Sequence, residues 1–406
     1  MLFYALYSLL GEVLNARKVF GPFTWAPALN NIVAMSGLIT FGFLFPDLDT
    51  GNALEWTPAM VAVLAGSATA GVAMQAAILF TFWRRAGLGY QLDFAWRGVG
   101  LGRTGRAVSW MFGMIMVAQI AGVVQANVAS LAAGSEAPSL AILRFSWLIF
   151  MLPHSVVVVS LATAYFTRMS TNARDKNLAG VRADFLSSVS RIGFFMVLAT
   201  AGLVVVSLPF ARQFGGEIET MQAMALVISL YALGLVAFSV LFIVQRVFYA
   251  LEDTKTPFFL QVFQATVFIS LALGVSTLPL SQIAYGLALS TSTAGTLQTA
   301  VALFVLRRKL GGLGLMPLGI KFMTYALAAL PASALGVGIL VWFNAGANGV
   351  LTSSSFVAGL LMALITCAMS ATYALFLWLL RNAEFLEMTA GIRSRLRLGG
   401  RGNSST

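Results

Sequence analysis

The sequence predicts an all-α polytopic membrane protein of about 11 transmembrane helices, and three observations predict it. Of its 406 residues 59% are hydrophobic and only 10% charged, with a mean hydropathy of +0.87. Such a composition lies outside the range of soluble globular domains. The apolar residues form one uninterrupted run after another, without the residue-by-residue alternation of a membrane barrel. The loops between the runs alternate in charge sign. A net charge of +11 would otherwise suggest nucleic acid. Its concentration in loops makes it a sign of topology, and no nucleic-acid partner is expected. The single cysteine, Cys367, lies within an apolar run, so disulfides and cysteine-based metal sites are excluded and no cofactor is expected.

Taken in order, the runs read as spans are 2–16, 26–45, 57–82, 107–132, 138–166, 185–210, 221–245, 257–275, 281–306, 319–343 and 352–380. Most are long enough, at 1.5 Å per residue, to cross ~30 Å of hydrocarbon. After the odd-numbered spans come Arg17 and Lys18, then Arg84, Arg85, Arg97, Arg103 and Arg106, then Arg168, Arg174, Lys176 and Arg182. The series continues through Arg246, Lys255, Arg307, Arg308, Lys309 and Lys321 to the tail from Arg381 onward. Only Arg144, Arg191 and Arg212 stand apart from it, and the opposite loops carry Asp47, Asp49, Glu55, Glu136, Glu217 and Glu219. The positive-inside rule makes the basic side, with the C-terminus, cytoplasmic. That arrangement would put Met1 outside, although MLFYALYSLLGEVLNARK has no signal peptide, so an odd number of spans is expected upstream.

The polar break at 245–257, QRVFYALEDTKTP, packs Arg246, Glu252, Asp253 and Lys255 between two apolar runs. Pro257 fixes its own φ and disfavours helical geometry at Thr256, which predicts that one helix ends before it and another begins at or after it. Arg191 lies about two turns into its span, where an ionised group costs several kcal/mol unless paired. It either forks onto a phosphate or snorkels to the surface, and spacing alone leaves both open. Arg144, near the outer end of its span, is read as snorkelling. Glu12 and Asn15 share one helix face and line a cavity or the interface. Gln75, Gln119, Gln125, Asn127 and Gln264 are polar positions inside spans; Gln119 and Gln264 either join helices or line a pathway.

His154, the one histidine, is read as a polar helix-packing or outer-leaflet group, since no serine, histidine and aspartate set is placed for nucleophilic catalysis. GLGRTG at 100–105 has G-x-G-x-x-G spacing but follows no strand, so it is read as a cytoplasmic connection. Trp56, Trp83 and Trp110 are interfacial anchors.

RVFYALEDTKTP at 246–257 resembles the F-Y-A-x-x-D-T-K-T-P segment in the second lobe of the multidrug/oligosaccharidyl-lipid/polysaccharide exporter superfamily, with its MviN/MurJ-type lipid II flippases the best match. GEVLNARKVFGPFTWAPALNN at 11–31, LPHSVVVVSLATAYFTRMS at 152–170 and SRIGFFMVLATAGLVVVSLP at 190–209 resemble the same family, and the similarity runs from about residue 5 to residue 380. The resemblance implies two six-helix lobes and a final helix pair, of which this chain holds the last eleven helices. Residues 1–104 are then a remnant of the first lobe, 105–310 the second lobe, 311–380 the extra pair and 381–406 a basic tail. It implies a transporter, not an enzyme, in the bacterial cytoplasmic (inner) membrane. Alternating access would carry an undecaprenyl-pyrophosphate-linked precursor, lipid II, from the inner to the outer leaflet.

The expected partners are that precursor, membrane lipids and cell-wall synthesis proteins. Arg191 corresponds to a cavity arginine of the family, and Glu12, Asn15 and Gln119 are expected beside the substrate. Arg246, Tyr249, Asp253, Thr254, Lys255 and Pro257 form the motif at the cytoplasmic side, as a gate or as a structural turn. The chain departs from the family near Trp147, where many relatives carry an acidic residue, and in the helix at 257–275, which has no carboxylate where some relatives use one with an asparagine to bind sodium, so a sodium site is not expected. A proton-coupled drug exporter is disfavoured because 105–310 offers no acidic residue expected to be buried. A flippase for another polyprenyl-linked polysaccharide precursor, or an inactive fragment or membrane scaffold, remain as alternatives.

Overall fold

The computed structural model describes residues 2–17, 19, 21–46, 56–87, 101–132, 140–344, 349–350, 353–387 and 389. Within that set the side chains of Asn15, Ala16, Leu101, Arg103 and Thr104 are outside the description. The chain separates into two compact units, 1–99 and 100–406. All regular structure among the described residues is helical, as the composition requires. The helices of the first unit are α1 (Leu2–Ala16), α2 (Gly21–Leu44) and α3 (Pro58–Thr81). Those of the second are α4 (Leu101–Ser130), α5 (Leu140–Pro153), α6 (Val159–Arg174), α7 (Leu178–Arg212), α8 (Ile218–Ala232), α9 (Leu235–Ala250), α10 (Lys255–Val275), α11 (Ile283–Lys309), α12 (Leu315–Asn344) and α13 (Ser355–Leu379).

Nine helical segments among the described residues are long and apolar enough to cross a membrane, and α8 with α9, bent by 43°, makes up to ten. The apolar helix at the N-terminus is shorter, so the eleven runs read from sequence are nine spans, one broken span and α1. One of the nine, Leu140–Arg174, joins α5 to α6 through a π-helical turn at His154–Val158. The turn comes directly after Pro153, whose missing N–H interrupts the helical ladder.

Within hydrocarbon, helices gain nothing from leaving lipid, so close packing and hydrogen bonds must join them. In the first unit α2 meets α3 through small residues: a Cβ on Gly37 would lie 2.1 Å from Ser67 Oγ, and one on Gly71 2.4 Å from Asn30 Oδ1. In the second unit a large apolar cluster includes Phe185, Ile192, Ile228, Val244, Phe248 and Leu287. A second cluster seats α12 and α13 on α7, with Phe194, Val205, Tyr325, Ile365 and Met369 at its centre. The Tyr373 hydroxyl ties that cluster down by donating to Phe194 O at 2.9 Å. Where α8 and α9 part, Ser292 of α11 donates to Leu230 O at 2.7 Å and satisfies a carbonyl beside the bend.

Three connections of the second unit share one backbone design. After α6, Lys176 adopts a left-handed φ of 57°; after α9, Glu252 one of 58°; after α13, Arg381 one of 50°. The N–H of each bonds three residues back, to Ala173 O, Tyr249 O and Trp378 O, all at 3.0 Å. The next residue is Asn177, Asp253 or Asn382, and its N–H reaches five residues back, to Asn172 O, Phe248 O and Leu377 O at 2.8, 2.9 and 3.0 Å. This pair of bonds is the Schellman closure of a helix end, usually made with glycine at the left-handed position. The same Asn or Asp side chain then caps the next segment: Gly180 N–H donates to Asn177 Oδ1 at 2.9 Å, Thr256 N–H to Asp253 Oδ1 at 2.9 Å, and Phe385 N–H to Asn382 Oδ1 at 3.2 Å. The end of α11 closes the same way with Gly311 at φ 68° and Gly312 N–H on Arg307 O at 2.9 Å.

A left-handed conformation costs a non-glycine residue roughly 1 kcal/mol. Glu252→Gly therefore gains up to about 1 kcal/mol of stability, read as a higher melting temperature of the purified protein in detergent. An unchanged or lower melting temperature would mean that the Glu252 side chain contributes more than its backbone costs.

Candidate functional site

The joints stand beside three carboxylates, each neutralised by a cation from another helix. Asp184 of α7 is 3% exposed, receives Arg168 Nη2 of α6 at 2.6 Å and accepts from Asn172 Nδ2 at 2.8 Å. Asp253 accepts from Thr256 Oγ1 at 2.6 Å and pairs with Lys309 at the end of α11. Glu384, past the end of α13, accepts from Lys321 Nζ of α12 at 2.7 Å and from Ser190 Oγ of α7 at 2.8 Å, with Arg191 Nε 3.9 Å away. Asp184 corrects the expectation of no buried acidic residue in 105–310. It lies one residue before the run counted as a span, at a depth that its arginine partner makes tolerable.

The site residues expected from sequence fall in several places. Arg191 is the fourth member of the Glu384 cluster, with its guanidinium 5.9 Å from the Tyr165 ring and its side chain 44% exposed. It is a paired cation. Arg246 lies over Phe242 at 4.6 Å and Phe166 at 5.7 Å, and Lys255 is 5.9 Å from the Trp110 and Phe259 rings. Thr254 precedes α10 without a side-chain capping bond, because Asp253 supplies it.

Pro257 corrects the expected boundary: α10 begins at Lys255, and the proline is its third residue. The first helical turn has no intrahelical partner for that N–H, so a proline is tolerated there. Glu12 is exposed on α1, and the Asn15 side chain lies outside the described residues. Residues 88–100, which include the first glycine of GLGRTG, also lie outside them. His154 is 2% exposed, with Nδ1 3.3 Å from Ser239 Oγ and its ring 4.6 Å from that of Phe238, and it packs as a core group.

Two cavities open at opposite ends of the Leu140–Arg174 span, and Arg191 lines neither. The one at the joints, about 840 Å³, is lined by Thr167, Ser170, Thr171, Arg174, Tyr249 and Glu252. Leading to it along α6 runs an exposed stripe of Ser160, Thr163, Thr167 and Thr171. Each of these hydroxyls donates to the carbonyl four residues back, at 2.8, 2.8, 3.3 and 3.1 Å. Their lone pairs remain available on that face, which suits water or a polar headgroup better than acyl chains. The other cavity, about 740 Å³, lies between α4, α5, α8 and α11 and takes in Gln119, Gln125, Arg144 and Tyr231. Among the described residues no group of three or more His, Cys, Asp and Glu could hold a metal.

Burial pushes the Glu384 carboxyl up, but Lys321, Ser190 and Arg191 outweigh it and hold the group below its ordinary value. Asp253 behaves alike: burial raises it, and Lys309 with Thr256 brings it below the ordinary range. A carboxylate whose folded value is depressed adds stability that is present above its unfolded value and lost as pH falls through the folded one. The melting temperature in detergent should therefore fall as pH drops below the ordinary carboxylate range. Glu384→Gln should melt lower than wild type at neutral pH and flatten part of that slope. A slope that is unaltered would separate Glu384 from the acid sensitivity.

The sequence profile of the family described as "Lipid II flippase MurJ" matches residues 1–362. A protein of Rickettsia prowazekii (strain Madrid E) named "Probable lipid II flippase MurJ" is 26% identical over 277 residues, covering 66% of this chain and 50% of its own length. The chain thus spans about half the length of that curated relative. A solved structure titled "Lipid II flippase MurJ, inward closed conformation" superposes with a TM-score of 0.63 at 19% identity, over 94% of this chain and 72% of the other, and supports the fold alone. With a family profile matched over most of its length, this multi-pass membrane protein belongs to the lipid II flippase MurJ family.

Proposed function

We propose that this chain moves a polyprenyl-pyrophosphate-linked peptidoglycan precursor, lipid II, across the bacterial cytoplasmic (inner) membrane by alternating access. The observation that carries the reading is the family profile over residues 1–362. The hydroxyl stripe on α6 and the cationic mouth at Arg174 are chemically suited to a sugar and pyrophosphate headgroup. In this reading the basic ends of the second unit, with the three joints and the C-terminus, face the cytoplasm, as the loop charges require. Residues 105–310 act as one lobe, and 311–380 as a helix pair held to it through α7. Arg191 positions that pair through Glu384 and leaves the headgroup to other side chains. The work is transport, and it requires no catalytic residue; its partners are the lipid-linked precursor and the surrounding lipids.

Depletion of the gene product in its native host tests this. The membrane pool of the lipid-linked peptidoglycan precursor should rise several-fold while its synthesis continues, and the cells should lose shape and lyse. An unchanged precursor pool would contradict the assignment, and a rise confined to another polyprenyl-linked glycan would reassign the substrate.

A further inference from the structure

The cavity remote from the joints, between α4, α5, α8 and α11, holds the chemistry that the Arg191 cluster lacks. Arg144 stands near the start of α5 with an exposed side chain, and no described carboxylate lies within ion-pair distance of it. A cation close to a helix N-terminus is opposed by the helix dipole, so α5 gains nothing from an arginine there; an anion at the same place would be favoured by both. Across the cavity Gln119 and Gln125 of α4 present two side-chain amides, with Gln125 Nε2 only 3.5 Å from the Tyr231 hydroxyl, and Thr291 of α11 adds a hydroxyl.

Trp147 forms a fixed aromatic wall. Its ring stacks on Phe150 at 4.8 Å and meets Tyr231 and Phe238 edge-on at 5.5 and 5.9 Å. Among the described lining residues, one unpaired guanidinium, two amides, hydroxyls, an indole and no carboxylate suit a ligand that is at once hydroxyl-rich, amide-bearing and anionic. The volume, about 740 Å³, falls within the range of small-molecule sites.

We propose that this cavity binds an acetamido-sugar phosphate: the phosphate on Arg144, the acetamido and hydroxyl groups on Gln119 and Gln125, and the ring against Trp147. The site rests on the flippase reading for its meaning as a resting place for the headgroup on the side opposite the joints. It stands by itself as a binding site.

The purified chain in nanodiscs is titrated with N-acetylglucosamine 1-phosphate, N-acetylglucosamine and inorganic phosphate, each monitored by calorimetry. The wild type should bind the sugar phosphate at least tenfold more tightly than either fragment. Arg144→Ala should abolish the preference for the phosphate, Arg144→Lys should keep part of it, and Gln119→Ala should weaken both sugars alike. The same gel-filtration profile and melting temperature in each variant would show that the fold is kept. No binding of the sugar phosphate by wild type, equal binding of all three probes, or an unaltered preference in Arg144→Ala would overturn the site. Those outcomes leave the transport reading intact. Failure to translocate lipid II with the sugar phosphate still bound would instead overturn the flippase reading and spare the site.

Discussion

The second unit depends on how its helices stop. A residue forced into the left-handed region, with Asn or Asp directly after it, closes the ends of α6, α9 and α13 and caps the next segment. Each joint satisfies orphan carbonyls of one helix and an orphan N–H of the next without water, a requirement of any turn near hydrocarbon. The left-handed residue is Lys, Glu or Arg, so backbone strain of about 1 kcal/mol is accepted at each. Charge at those positions keeps the turns at the polar boundary of the membrane. The QRVFYALEDTKTP segment is one of these joints, and its conspicuous Asp253 acts as the cap and as the partner of Lys309.

Around the joints three carboxylates, Asp184 and Glu384 buried and Asp253 half-buried, set which helices stay together. Asp184 joins α6 to α7, Asp253 joins the α9–α10 turn to α11, and Glu384 joins α12 and α7 to the segment after α13. Breaking one partner of such a pair leaves a buried charge, so the clamps favour rigid movement of the clamped helices as a body. The opposite half of the Leu140–Arg174 span differs in kind, with a π-helical turn, a neighbouring 43° break between α8 and α9, and a polar cavity holding Arg144. Irregular backbone at membrane depth is tolerated where it is buried or lines a cavity, and His154 and Val158 in the turn and Gly234 at the break are buried.

Much of this is legible in the sequence. Hydropathy marks all the segments that become helices, and the F-Y-A-x-x-D-T-K-T-P segment points to the family whose profile matches the chain. Pairings between distant positions are what the sequence hides. Arg191 reads as an isolated cation because its partner Glu384 lies beyond the last span, 193 positions downstream by number. Asp184 is missed because a span drawn from apolar residues alone begins just after it. Pro257 misplaces a boundary by two residues, since a proline in the first turn looks from sequence like one that stops a helix. Arg144 reads as snorkelling; only the structure shows that it lines a cavity with Gln119, Gln125 and Trp147.

Whether the chain carries a lipid-linked precursor from one leaflet to the other is measured most directly in reconstituted vesicles. These hold the purified chain and a fluorescent lipid II analogue, and an impermeant quencher is added outside. Label protected in the inner leaflet should become quenchable at a rate that rises with the amount of protein. A rate no different from protein-free vesicles would contradict lipid II transport by this chain.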